Sequence, residues 1–170
     1  TVADLPAPNK KESVSNSPKK ADRPAGALPK VPPGFTVGEL ASDLKKPRVV
    51  QVAPNGDIFV VESEADRVQI LRDADGDGKA ESRSVYVEDL KRPFGLAFYP
   101  SGSDAPTHIY IANTDSVVRF PYKPSEPKPA GPAEVLVTNI PSGKEMVGGG
   151  GHWTRDIAFS KDNQRMFVSV

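Results

Sequence analysis

The chain has 170 residues with Lys+Arg 22 and Asp+Glu 22, a formal net charge of zero that excludes a strongly basic nucleic-acid binder and a polybasic membrane anchor. Cysteine is absent, so disulfides, zinc–thiolate centres and a cysteine nucleophile are excluded. No apolar run reaches the roughly 18 residues of a transmembrane helix, and Pro 18 with Gly 14 suits short strands and tight turns better than helices.

Residues 1–33 hold seven of the 18 prolines and no aromatic residue, with paired lysines at Lys10-Lys11 and Lys19-Lys20. Such a stretch buries too little apolar surface to offset its chain entropy and reads as a disordered tail or linker. Thr1 stands where an initiator Met would, which predicts a processed chain or an excerpt of a longer one.

From residue 34 onward the pattern turns into short runs rich in Val, Ile, Phe and Tyr, broken by turn residues. Strands are predicted over 35–40, 48–53, 57–62, 67–72, 83–88, 94–99, 108–113, 116–122, 133–138, 154–160 and 165–170. No stretch keeps a helical period. Asn55-Gly56-Asp57, Asp75-Gly76-Asp77-Gly78 and Ser101-Gly102 mark turns. His108 reads as exposed, and Asn113 as a strand-end residue able to face a channel.

Between the predicted strands 67–72 and 83–88 lies Asp73-Ala74-Asp75-Gly76-Asp77-Gly78-Lys79-Ala80-Glu81. Hard carboxylate oxygens alternate there, with Gly78 at the sharp turn, as a calcium loop begins. Asp73, Asp75 and Asp77, the Lys79 carbonyl and Glu81 are the candidate ligands. The position of the bidentate Glu is Ser84 and no helices flank the loop, so it is no EF-hand. The competing reading is a plain acidic hairpin turn. A bound calcium would clip the sheet structurally, away from any catalytic site.

The chain repeats itself. Val49–Val61, the pair Phe94–Gly102 and Ile109–Ala112, and the pair Asp156–Asp162 and Met166–Ser169 each give a strand, a polar turn and a strand with a central aromatic. Val52, Phe98 and Phe159 correspond, at intervals of 46 and 61 residues. Repeats of about 40–50 residues with several short strands point to an all-β fold, a β-propeller. Eleven predicted strands at four per blade make just under three blades, whereas propellers close with about four to eight. Residues 34–170 are therefore expected to be a partial propeller, the N-terminal part of a longer protein, with a sheet edge and an inner face left uncovered.

Gly148-Gly149-Gly150-Gly151-His152-Trp153-Thr154-Arg155-Asp156 leads into the third repeat. Four glycines permit close backbone approach. A histidine there can meet a ligand, and imidazole is the side chain suited to general-base work near neutrality. Arg155 offers a planar fork of donors to carboxylates or carbonyls. Trp153 either walls the site or packs between sheets.

The spacing of Phe94-Gly95-Leu96-Ala97-Phe98, Ile111-Ala112-Asn113-Thr114-Asp115 and Gly151-His152-Trp153-Thr154-Arg155 resembles the glucose/sorbosone dehydrogenase family, and its sorbosone dehydrogenase-like branch above all. The resemblance covers about residues 33–170. It implies a six-bladed propeller quinoprotein that oxidises an aldose or a related sugar or aldehyde, with pyrroloquinoline quinone (PQQ) and calcium as cofactors. It further implies an electron acceptor such as a cytochrome or quinone and a periplasmic or secreted location. By resemblance His152 is the general base for the substrate hydroxyl, and Arg155 supports the motif or touches the quinone. Lys91-Arg92-Pro93 stands where soluble glucose dehydrogenases carry a Gln, which makes Arg92 a second candidate quinone contact. Gly151 replaces the Asp that precedes their catalytic His. In that family most quinone-binding and calcium-binding residues lie in later blades, so the chain alone is not expected to be active. A non-catalytic propeller that binds a protein or polysaccharide partner, braced by calcium, is the competing reading.

Overall fold

A computed structural model describes residue 19 and residues 21–142 and 152–170. The chain divides between Val37 and Gly38 into two units. In the first, the described residues form turns and no strand: Ala27 N donates to Pro24 O at 3.0 Å, and Phe35 N to Pro32 O at 3.2 Å. The predicted tail at residues 1–18 and 20 lies outside the described residues. The strand expected over 35–40 does not form. Its apolar residues find no core to enter, since Phe35 is 70% exposed, and a lone extended segment without a partner strand is marginal in water.

The second unit carries the other ten predicted strands. They are β1 (Pro47–Val52), β2 (Ile58–Glu62), β3 (Arg67–Arg72), β4 (Ser82–Val87), β5 (Leu96–Tyr99), β6 (His108–Ala112), β7 (Val117–Pro121), β8 (Glu134–Val137), β9 (Ile157–Phe159) and β10 (Met166–Val168). All pairings are antiparallel between chain neighbours. They give a four-stranded sheet β1-β2-β3-β4, a second β5-β6-β7-β8, and the pair β9-β10. The third group thus has two strands, and the described sheets do not close into a ring. The β1–β2 turn shows the local cause of such hairpins: Gly56 takes φ +88°, and the Asn55 side chain accepts from Asp57 N at 3.3 Å.

The packing explains why the strands read as apolar runs. On β6, Ile109 and Ile111 face one core with Phe59, Val61, Val68, Ile70 and Tyr86 of the first sheet. Tyr110 and Ala112 on its other face meet Ile157, Phe159 and Met166 of the third. A strand buried on both faces loses the apolar–polar alternation of a half-exposed one. Phe59 meets Tyr86 of its own sheet edge-to-face at 5.0 Å and bridges to Phe98 of the second sheet at 5.3 Å. The face-to-face stacking brings the segments before β1, β5 and β9 together at one place.

Candidate active site

Those segments meet around Trp153. The Arg92 guanidinium lies over the Trp153 ring at 4.3 Å. Arg48, on β1, lies 5.6 Å from the Trp153 ring and 5.6 Å from that of Phe94. Phe94 meets Trp153 edge-on at 6.2 Å. A hollow of about 310 Å³ is lined by Lys46, Ser63, Glu64, Asp66, Arg92 and Trp153. Trp153 therefore walls a hollow, one of the two roles its sequence position allows. His152, the neighbouring residue, is exposed. A larger hollow of about 530 Å³ along β1, β5 and β9 has no His, Lys or Arg in its lining.

Arg155 points inward. It is 0% exposed. Its Nη1 donates to His152 O at 3.0 Å and Thr154 O at 2.8 Å, and its Nη2 to Pro141 O at 2.5 Å. It does not line the Trp153 hollow, and the bonds above tie it to the His152 backbone. The glycine run 148–151 and residues 143–147 lie outside the described residues. Gly95 completes the seat: its N donates to Arg155 O at 2.8 Å, and a Cβ there would lie 2.7 Å from that same oxygen. Only glycine lets β5 and the Arg155 segment approach so closely.

The acidic loop forms the β3–β4 turn. Carboxylate oxygens of Asp73, Asp75, Asp77 and Glu81 all lie within 4.8 Å of one another. Asp73 accepts from Gly76 N at 2.8 Å and Gly78 N at 2.9 Å. Asp77 accepts from Lys79 N at 2.8 Å, and Glu81 from Ala74 N at 2.5 Å. Gly76 and Gly78 take φ +75° and +86°, so the loop curls its carboxylates inward. The Lys79 ammonium stands 4.0 Å from Asp77. The loop is a hairpin turn that gathers hard oxygen donors of the kind calcium takes. None of these residues lines the Trp153 hollow.

One minor expectation changes, that for His108. His108 is half-buried, its Nδ1 2.9 Å from Thr107 Oγ1. Asn113 is 4% exposed, and its side chain accepts from Lys91 N at 3.0 Å and donates to Ser116 Oγ at 3.1 Å. It shapes a turn and lines a hollow of about 460 Å³ with Lys91, Asp115 and Ser116.

Residues 29–170 match the TrAA12-like family. The chain belongs to that family. Three solved structures share the fold of this TrAA12-like chain. The first is the holo PQQ domain of a Coprinopsis cinerea pyranose dehydrogenase, 24% identical with a TM-score of 0.63, over 78% of this chain and 29% of that one. The second is a Trichoderma reesei carbohydrate-active enzyme of family AA12, solved in iodide and calcium forms. It is 21% identical with a TM-score of 0.60, over 76% of this chain and 31% or 30% of that one. The third is a Thermus thermophilus putative oxidoreductase described as a glucose dehydrogenase, 22% identical with a TM-score of 0.57, over 76% of this chain and 38% of that one. This TrAA12-like chain therefore spans less than two fifths of each relative's length. No curated protein matches it. The resemblance read from the Gly-His-Trp-Thr-Arg motif agrees with the family.

Sequence reasoning singled out His152, Arg155 and Arg92 but missed Lys46, Arg48 and Asp66. Those three come from segments more than 80 residues before Trp153 in the TrAA12-like sequence, and no local motif marks them. Two guanidiniums against an indole form a cationic, aromatic surface. That donor set fits a planar, polyanionic quinone.

Proposed function

We propose that the protein is a quinoprotein dehydrogenase that oxidises an aldose or a related sugar or aldehyde. In this reading the fold is a β-propeller of six blades when complete. Residues 34–170 contribute about three blades, and residues 1–33 form a tail. The observation that carries it is the exposed His152 beside Trp153, with Arg92 and Arg48 over the indole ring. Membership of the TrAA12-like family and the PQQ domain among the structural relatives support it.

Arg92 and Arg48 would hold the carboxylates of PQQ, and Trp153 would stack beside its ring system. Bound PQQ supplies a two-electron hydride acceptor. His152 accepts the proton of the substrate hydroxyl as general base. Arg155 fixes the His152 carbonyl and so orients the backbone that presents the imidazole. The Asp73, Asp75, Asp77 and Glu81 carboxylates and the Lys79 carbonyl would hold calcium as a structural clip. A calcium form among the AA12 structures is in keeping with that cofactor. The electrons leave to a cytochrome or quinone acceptor, and the protein acts in the periplasm or outside the cell. Among the described residues no helix is long and apolar enough to cross a membrane.

The test uses the whole protein supplied with PQQ and calcium, with sugar-dependent reduction of an artificial dye as the readout. His152→Ala should lower the rate at least about a hundredfold, the contribution of a general base, while PQQ binding persists. Normal turnover by that variant would remove His152 from the chemistry. A parent protein with no saturable PQQ binding would turn the reading toward a non-catalytic binding propeller.

A further inference from the structure

The β2–β3 turn touches both cation-bearing segments of the Trp153 hollow through their backbones. Asp66 holds the nearer one. Its carbonyl accepts from Leu90 N at 2.9 Å, and its Oδ1 accepts from Arg92 N at 2.6 Å. Ser63 Oγ donates to Pro93 O at 2.5 Å. Three residues of one connection, Leu90, Arg92 and Pro93, are thus pinned by a single turn. Glu62, at the end of β2 and 0% exposed, accepts from Lys45 N and so fixes the residue before Lys46.

Arg92 has φ +45°, a left-handed conformation that a non-glycine residue keeps only when its surroundings hold it. Its side chain is exposed, so packing does not hold it. The hydrogen bond from its own N to Asp66 does. Were Arg92 to relax to an ordinary negative φ, its Cβ would point elsewhere and the guanidinium would leave the indole.

We propose that Asp66 is a positioning residue. Its carboxylate locks the Arg92 backbone and thereby sets the guanidinium over Trp153, building the cationic wall of the hollow. Only the consequence for cofactor binding rests on the quinoprotein reading; the positioning itself does not.

Trp153 is the sole tryptophan of the 170-residue chain, so its acrylamide quenching reports on the stack without any turnover. Asp66→Asn keeps an Oδ1 acceptor on a residue that tolerates positive φ. Asp66→Gly tolerates the backbone but has no acceptor. Arg92→Ala removes the cation. Arg92→Ala and Asp66→Gly should both raise quenching, and in Asp66→Gly the stacked population should fall about two- to fivefold, the worth of one exposed cation–π contact. Asp66→Asn should match the parent. Far-UV circular dichroism checks the fold, and Asp66→Ala replaces Asp66→Gly if the latter does not fold. Parent-level quenching in Asp66→Gly beside raised quenching in Arg92→Ala overturns the proposal. So does an Asp66→Asn variant that behaves as Asp66→Gly. A PQQ titration of the whole protein keeps the two readings apart. No PQQ binding with the expected quenching pattern sinks the cofactor reading and leaves Asp66 in its role. PQQ binding with quenching indifferent to Asp66 does the reverse.

Discussion

Arg155 carries a permanent charge into the interior and spends it on the backbone carbonyls of Pro141, His152 and Thr154. Removing the guanidinium breaks three hydrogen bonds to backbone carbonyls of exposed or half-buried residues, each worth about 0.5–1.5 kcal/mol. Arg155→Met should therefore lower the unfolding free energy by at least about 2 kcal/mol by urea denaturation. Arg155→Lys should recover only part of this, because an ammonium cannot reproduce the planar fork. A midpoint unchanged in Arg155→Met would show that the carbonyls find other donors. Tyr86 is the opposite case. It is 1% exposed, its hydroxyl has no hydrogen-bond partner among the described residues, and burial, aided by Tyr122, pushes its phenol pKa well up. Tyr86→Phe removes a desolvated group at nearly constant shape and should raise stability by about 1 kcal/mol. A fall in the midpoint would reveal a partner for the hydroxyl.

At the scale of elements, the β3–β4 turn draws four carboxylates within 4.8 Å, a repulsive arrangement that a divalent cation would relieve. If it binds calcium, free ion at a hundred times the dissociation constant should stabilise the chain by about 2.7 kcal/mol. Heating scans with calcium and with chelator would show this as a shift in midpoint. An Asp73→Ala/Asp77→Ala chain should lose the shift, and equal midpoints in the parent would leave the loop a plain hairpin. This turn was legible from its D-x-D-x-D-G spacing. So were the strands, because a sheet buried on both faces writes itself as unbroken runs such as Ile109-Tyr110-Ile111-Ala112. The false strand at 35–40 obeyed the same composition. It failed because strand formation needs a partner, and composition does not report one. The part of the candidate site that is local, His152 to Arg155, could be named from its motif. Arg48 and Asp66 were not, since contacts between stacked sheets leave no spacing in the sequence. The inward direction of Arg155 was equally hidden, because the same fork serves a ligand or a set of carbonyls.

Across the second unit, an ion pair inside the first sheet also holds a loop of the second, through a guanidinium that bonds to both. Asp57, 5% exposed, accepts from Arg72 Nε at 2.6 Å and Nη2 at 3.0 Å, and from Asn55 Nδ2 at 2.9 Å. Arg72 Nη2 also donates to Ser125 O at 2.6 Å, in the loop that follows β7. Burial pushes the Asp57 carboxyl up, but the bonds from Arg72 and Asn55 outweigh it, and the group titrates below its ordinary value of 3.8. A carboxyl with a depressed folded-state pKa gives stability that is fully present above the unfolded value. That stability is lost as pH falls from there through the folded value. Asp57→Asn keeps the shape and removes the charge. The stability gap between parent and variant should hold steady from neutral pH down to the region of 3.8, then narrow as the parent's carboxyl protonates. Glu62 and Asp115 also titrate low, because bonds from Arg67 and Lys91 overcome their burial. They steepen the acid loss in both proteins equally, so the difference isolates Asp57. Urea midpoints taken across that range decide it. A gap that stays constant into acid would mean that Asp57 holds Arg72 as a hydrogen-bond acceptor alone, with its charge contributing nothing.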